Sequence, residues 1–88
     1  MKIEQSKFFY GLGFEELEIN GTLCYKGPDG FCYRMDHFSQ SYVIECAESP
    51  EDAKVNLFED ADLFDDDLPE AELIAQVQAA LREYVKGY

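Results

Sequence analysis

The amino-acid sequence predicts an α+β domain of two layers, in which an antiparallel meander of about four strands packs against two C-terminal helices. A short N-terminal helix is allowed ahead of the sheet. Three observations lead there. The run Gly27-Pro28-Asp29-Gly30 is turn chemistry between two alternating aromatic segments. Composition changes once, near residue 47, from aromatic and alternating to acidic and helix-like. Beyond Pro69 the apolar residues fall into one helical stripe.

Residues 2–12 suit a short helix, with Ile3, Phe8, Phe9 and Leu12 apolar and Gly11 or Gly13 as its stop. A first strand follows at 14–18. Residues 22–36 then form a hairpin. Pro28 fits the first central position of a type I turn, Asp29 the second, and Gly30 the left-handed position of a bulge. That geometry pairs Gly27 with Phe31, hence Tyr25 with Tyr33 and Leu23 with Met35. One face carries Leu23, Tyr25, Phe31, Tyr33 and Met35; the other carries Cys24, Lys26, Cys32, Arg34 and Asp36. A one-residue slip would mix the two sets, so burial and turn chemistry agree on register.

The link between the first two strands has two readings. Asn20-Gly21 has the form of a two-residue type I′ turn, which would pair Leu17 with Cys24 on the polar face. A three-residue loop, Ile19-Asn20-Gly21, pairs Leu17 with Leu23 instead. The loop is preferred, because burying a leucine is worth roughly 1.5–3 kcal/mol. Residues 41–47 supply the fourth strand, with Tyr42, Ile44 and Cys46 inward and Glu45 outward. Ser49-Pro50-Glu51-Asp52 starts a helix: Ser49 caps, Pro50 takes the first position, and the two acids meet the positive end of the dipole. Ala53, Leu57 and Phe58 then lie near one face. The last helix begins near Pro69, and its stripe runs from Leu73 through Ile74, Val77, Ala80 and Leu81 to Tyr84 and Val85.

With 88 residues the chain has room for a single domain, 1–88. Lys and Arg total 7 against 19 for Asp and Glu, a formal net charge of −12. Hydrophobic residues make up 47%, too many for a disordered acidic tail. The charge argues against direct nucleic-acid binding and against an anionic membrane, because both repel a carboxylate surface. No apolar run approaches the ~18 residues of a membrane span, and residues 1–20 hold no basic segment followed by an apolar one. A soluble, cytoplasmic protein is the expectation. Cys24, Cys32 and Cys46 are an odd set without a C-x-x-C pair, and His37 is the one candidate for a fourth zinc ligand. Their spacings match no common zinc module. The expectation is three reduced, structural thiols, with no metal and no cofactor.

Chemistry has little support in the remaining motifs. His37 is the single imidazole and is expected on a surface loop, so no nucleophile-and-base pair is predicted and no catalytic residue is named. Gly11-Leu12-Gly13 lacks the lysine of a phosphate loop. Tyr10, Tyr25, Tyr33 and Tyr42 are expected in the core and sheet rather than as a stacking platform. The tract from Glu48 to Glu72 is the distinctive feature: it holds eleven acids, offset only by Lys54. A calcium loop begun at Asp60 fails, since it puts Phe64 at the fifth position, Asp65 where glycine is needed and Ala71 at the twelfth. The tract instead suggests a protein-binding surface. Its candidate partner-binding residues are Glu59, Asp60, Asp62, Asp65, Asp66 and Asp67, with Leu63 and Phe64 as exposed apolar company.

The segment from Tyr42-Val43-Ile44-Glu45-Cys46-Ala47 to Asn56-Leu57-Phe58-Glu59-Asp60-Ala61-Asp62-Leu63-Phe64 resembles small acidic immunity proteins of Gram-positive polymorphic toxin systems. In these a strand leads into a short helix, then an acidic segment, then a C-terminal helix. The resemblance covers about residues 40–85. The chain departs from that pattern in having Cys46 where an aromatic is usual and Ala61 where glycine is usual. What the resemblance implies is a cytoplasmic protein without catalysis that binds and neutralises a cognate toxin. Together with the charge, it makes a basic protein partner the leading expectation: a toxin that acts on nucleic acid, its phosphate sites occupied by carboxylates. A phage-type nucleic-acid mimic and a small structural or assembly subunit are the alternatives.

Overall fold

The computed structural model describes residues 3–87. The chain runs α1 (Gln5–Phe9), β1 (Glu15–Ile19), β2 (Thr22–Lys26), β3 (Cys32–Phe38), β4 (Ser41–Ala47), α2 (Pro50–Lys54), β5 (Glu59–Asp65) and α3 (Glu70–Tyr84). The fold is α+β, and the sheet is an antiparallel meander in the order β1-β2-β3-β4-β5. It has five strands where about four were expected. The additional one is β5, which the acidic tract forms along the edge of β4.

The β2–β3 hairpin takes the predicted geometry. The Gly30 amide donates to the Gly27 carbonyl at 3.0 Å and the Gly27 amide to the Phe31 carbonyl at 2.9 Å. Gly30 sits at φ +86°, a left-handed position that a residue with a Cβ rarely adopts. Tyr25 pairs with Tyr33 and Lys26 with Cys32. The expected pair Leu23–Met35 is replaced by a side-chain bridge. Gln5 reaches in from α1, its Nε2 donating to the Leu23 carbonyl at 3.1 Å and its Oε1 accepting from the Met35 amide at 2.6 Å. One amide side chain thus serves a donor and an acceptor that the diverging strands leave without each other.

The first hairpin overturns the preferred reading. Ile19 pairs with Thr22 and Leu17 with Cys24, so Asn20 and Gly21 form the two-residue turn, at φ 53° and 77°. The three-residue loop rests on the premise that this face of the sheet is polar, and that premise fails. α2 covers it: Ala53 packs with Cys24, Cys32 and Ala47, and Leu17, Ile19 and Phe58 pack around them. Leu17 gains apolar company without the loop.

The two C-terminal helices therefore do not share a layer. Side chains alternate along each strand, and Tyr25, Tyr33, Met35, Tyr42 and Ile44 face the main core with Phe8, Phe9, Leu73, Val77 and Leu81. α1 and α3 cover that face; α2 caps the other. Phe9 stacks on Tyr25 at 4.1 Å between ring centroids, and Phe8 meets Tyr42 at 5.6 Å. The predicted stripe of α3 is seen, with Leu73, Val77 and Leu81 buried and Ile74, Ala80, Tyr84 and Val85 packed beside them. α2 starts as predicted: the Ser49 hydroxyl accepts from the Asp52 amide at 3.1 Å. It ends after Lys54, and Leu57 stands out in solvent instead of continuing its face. Tyr10, expected in the core, is 83% exposed. Among the described residues, no helix is long and apolar enough to cross a membrane.

Candidate functional site

β5 is an edge strand in which carboxylates outnumber every other side chain. Its pairing with β4 matches Cys46 to Glu59, Glu45 to Asp60, Ile44 to Asp62, Val43 to Leu63, Tyr42 to Phe64 and Ser41 to Asp65. Ala61 has no opposite number, so it is the extra residue of a β-bulge. The bulge shifts the alternation by one position. Asp60 shares a face with Glu45, whereas Asp62 and Phe64 share the main-core face with Ile44 and Tyr42. Without the extra residue Asp60 and Asp62 would point the same way.

Of the six carboxylates predicted to bind a partner, two are held by the protein itself. Asp62 accepts a hydrogen bond from the Tyr84 hydroxyl of α3. Asp66, in the turn after β5, lies 2.8 Å from Nε2 of His37. Its amide also donates to the Gln40 carbonyl at 3.1 Å. These two tie the edge strand to the rest of the fold. The other four, Glu59, Asp60, Asp65 and Asp67, are exposed, and none makes an ion pair among the described residues. Asp60 stands opposite Glu45, a like-charge pair that is relieved by Arg34, whose Nε donates to Glu45 Oε1 at 2.7 Å. Leu63 is exposed as expected, whereas Phe64 packs against the core.

His37 lies on β3 rather than on a loop, its ring 4.5 Å from that of Tyr42 and paired with Asp66. No serine or cysteine among the described residues hydrogen-bonds to it. The thiols sit in surroundings that suppress the reactive thiolate. Burial pushes Cys32 up to about 11, with the nearby Cys24 adding to the effect. Burial, then the negative charge of Asp29, pushes Cys46 up to about 12. All three cysteines are free. Among the described residues, no cluster of three or more His, Cys, Asp or Glu side chains is placed to hold a metal ion.

Sequence reasoning did not find the groove beside the bulge. It has a volume of about 570 Å³ and opens where the chain passes from α2 into β5. Phe31, Leu57 and Phe58 give it an apolar floor, and Glu48, Asp52, Glu59 and Asp60 give it walls. A second hollow of about 280 Å³, between Asp29 and Tyr84, adjoins it across Phe31, Cys46 and Ala61. Phe31, expected on the core face, is 38% exposed at this junction. A signal existed in the acids at 48 and 52, which belong to the same tract, but only the pairing of β4 with β5 brings them beside residues 57–60. Comparison of the chain with protein families, with curated proteins and with solved structures found no match.

Proposed function

We propose that this chain is a non-catalytic acidic binding protein, an immunity protein that binds and neutralises a cognate basic toxin acting on nucleic acid in the cytoplasm. The observation that carries the reading is the exposed edge strand β5 with its following turn, where Glu59, Asp60, Asp65 and Asp67 make no ion pair among the described residues. Carboxylates fixed along an extended strand repeat a negative charge at intervals that a phosphate-binding surface can meet. The whole-chain charge of −12 adds long-range attraction and speeds encounter with a basic surface. Such a surface has to be rigid to be worth its self-repulsion, and the Tyr84–Asp62 and His37–Asp66 contacts anchor it at two points.

The test uses two variants with equal charge change. Asp65→Asn with Asp67→Asn neutralises the proposed surface, and Glu15→Gln with Glu18→Gln neutralises exposed positions on β1, the opposite edge. The partner is isolated from the native host by affinity capture, identified, and its binding rates measured. The first pair should raise the dissociation rate at least about tenfold, because charge-assisted contacts are lost on docking. The second should mainly slow association, and that effect should fade as salt screens it. Equal dissociation rates for the two variants would sink the reading and leave the acids as charges that keep an edge strand from pairing with other chains. A captured partner that is a host DNA-binding protein rather than a toxin would favour the nucleic-acid mimic.

A further inference from the structure

The groove beside the Ala61 bulge combines two features that water tolerates poorly together. Its floor exposes apolar surface, with Leu57 60% accessible beside Phe31 and Phe58. Its walls bring four carboxylates around that floor, with no Lys or Arg lining it. None of Glu48, Asp52, Glu59 and Asp60 makes an ion pair among the described residues. The complement of such a groove is a side chain that is apolar along its length and cationic at its tip.

Arginine meets both conditions better than lysine. Its planar guanidinium stacks on aromatic rings, forks onto carboxylates and gives up its water at lower cost than a compact ammonium. The molecule already contains one instance. The guanidinium carbon of Arg34 lies 3.7 Å from the centroid of Phe58 while Nε bonds Glu45. Phe58 borders both the Arg34 side and the groove, so the same ring offers the groove an aromatic surface. The adjoining hollow, past the small side chain of Ala61, gives the neighbouring residue of an extended segment an apolar place against Phe31 and Tyr33.

We infer that this groove receives an arginine side chain, flanked by an apolar residue, from an extended segment of a partner protein. The inference rests on the basic-partner reading above and names the chemistry of its anchor. The probes are three blocked peptides, Leu-Arg-Leu, Leu-Lys-Leu and Leu-citrulline-Leu, the last keeping the shape of arginine without its charge. Each is titrated into the isotope-labelled chain and followed by amide chemical shifts. The arginine peptide should give saturable shifts at Phe31, Glu48, Leu57 and Ala61. The citrulline peptide should bind at least about tenfold more weakly, and the lysine peptide should fall between. Glu48→Gln with Leu57→Ser, two exposed positions, should lower affinity for the arginine peptide about tenfold. Glu15→Gln with Glu18→Gln should leave it unchanged. Absence of saturable shifts, equal affinity for the arginine and lysine peptides, shifts spread equally over β1 and β5, or equal weakening by the two variants would each overturn the assignment. Because Asp65 and Asp67 do not line the groove, faster dissociation of their variant from the captured partner would keep the acidic-edge reading standing while the groove assignment fell.

Discussion

A few side chains do work here that the backbone cannot. Gln5 spans the gap between β2 and β3, satisfying the Leu23 carbonyl and the Met35 amide at once. Gln5→Ala should cost about 2 kcal/mol, measured as a lower urea midpoint at unchanged slope, because both partly buried groups lose their partner. Gln5→Glu keeps the acceptor for Met35 but sets a carboxylate oxygen against the Leu23 carbonyl, and that repulsion should make it cost no less. Glycines 27 and 30 matter for different reasons. A Cβ on Gly27 would lie 2.8 Å from Oδ1 of Asp29. That carboxylate is not free to move, since Oδ1 accepts from the Phe31 amide at 3.1 Å and Oδ2 from the Tyr33 hydroxyl at 2.6 Å. At Gly30 there is open space and a φ of +86°, so a side chain there is opposed by backbone strain alone. Gly27→Ala and Gly30→Val should each destabilise by about 1–3 kcal/mol. The Cβ on Gly27 would also meet Val85 at 3.2 Å and Tyr33 at 3.3 Å, so in an Asp29→Ala background the Gly27→Ala loss should shrink without vanishing while the Gly30→Val loss persists in full; an undiminished Gly27→Ala loss would place the clash at those two neighbours.

At the scale of elements, α2 is five residues long and too short to hold its shape unaided. Its Ser49 cap and its packing over Cys24 and Cys32 maintain it. Ser49→Ala should cost about 1 kcal/mol, felt first as local opening of this lid. Native-state alkylation of Cys24 and Cys32 should then rise about fivefold, while Cys46 on the opposite face changes far less. Equal acceleration at all three thiols would mean global unfolding instead. The element that sequence reasoning missed, β5, shows where local signals end. Four of its seven residues are acids, which strands disfavour, and the Ala61 bulge breaks the alternation that would have marked it. Its pairing is decided by β4, whose buried Tyr42 and Ile44 hold Phe64 and Asp62 in register. The first hairpin departs from its expected register for a related reason. Cys24 and Cys32 alternate with Lys26 and Arg34 on what reads as a polar face, yet buried cysteine behaves as a small hydrophobe, and α2 supplies a core that no periodicity announces. The Gly27–Gly30 turn and the α3 stripe were legible because each is specified within a few residues of itself. The acids of the candidate site were legible as composition. The groove was not, because three separated stretches of chain meet there only once the sheet has formed.

For the molecule as a whole, burial raises the proton affinity of three tyrosine hydroxyls and of the thiols. Tyr33 is raised far above the ordinary tyrosine range by burial and by its bond to Asp29, and Tyr84 by burial and by its bond to Asp62. Tyr25 is raised by burial and then by the charge of Glu16. Cys32 and Cys46, at about 11 and about 12, are raised mainly by burial. Each of these groups is an acid whose folded form holds its proton more tightly than its unfolded form. Their contribution to stability is therefore complete below the unfolded values, 9.0 for cysteine and 10.0 for tyrosine, and is lost as pH rises beyond them. The folded state then binds more protons than the unfolded state, so unfolding releases protons and stability falls with pH at up to about 1.4 kcal/mol per unit for each full proton released. Self-repulsion steepens the fall, because every ionisation adds to a charge that is already −12. Urea midpoints between about pH 8 and about pH 11 should decline progressively, with little change below about pH 8 from this source. Tyr33→Phe with Tyr84→Phe sets a lower baseline, since two hydrogen bonds go with the hydroxyls. Its stability should nonetheless decline less steeply with pH than that of the parent chain. The informative quantity is the difference in slope, because lysine deprotonation and the general repulsion act on both proteins alike. Parallel slopes would mean that these hydroxyls ionise as readily in the fold as out of it, and that their hydrogen bonds to Asp29 in the β2–β3 turn and to Asp62 on β5 do not hold their protons.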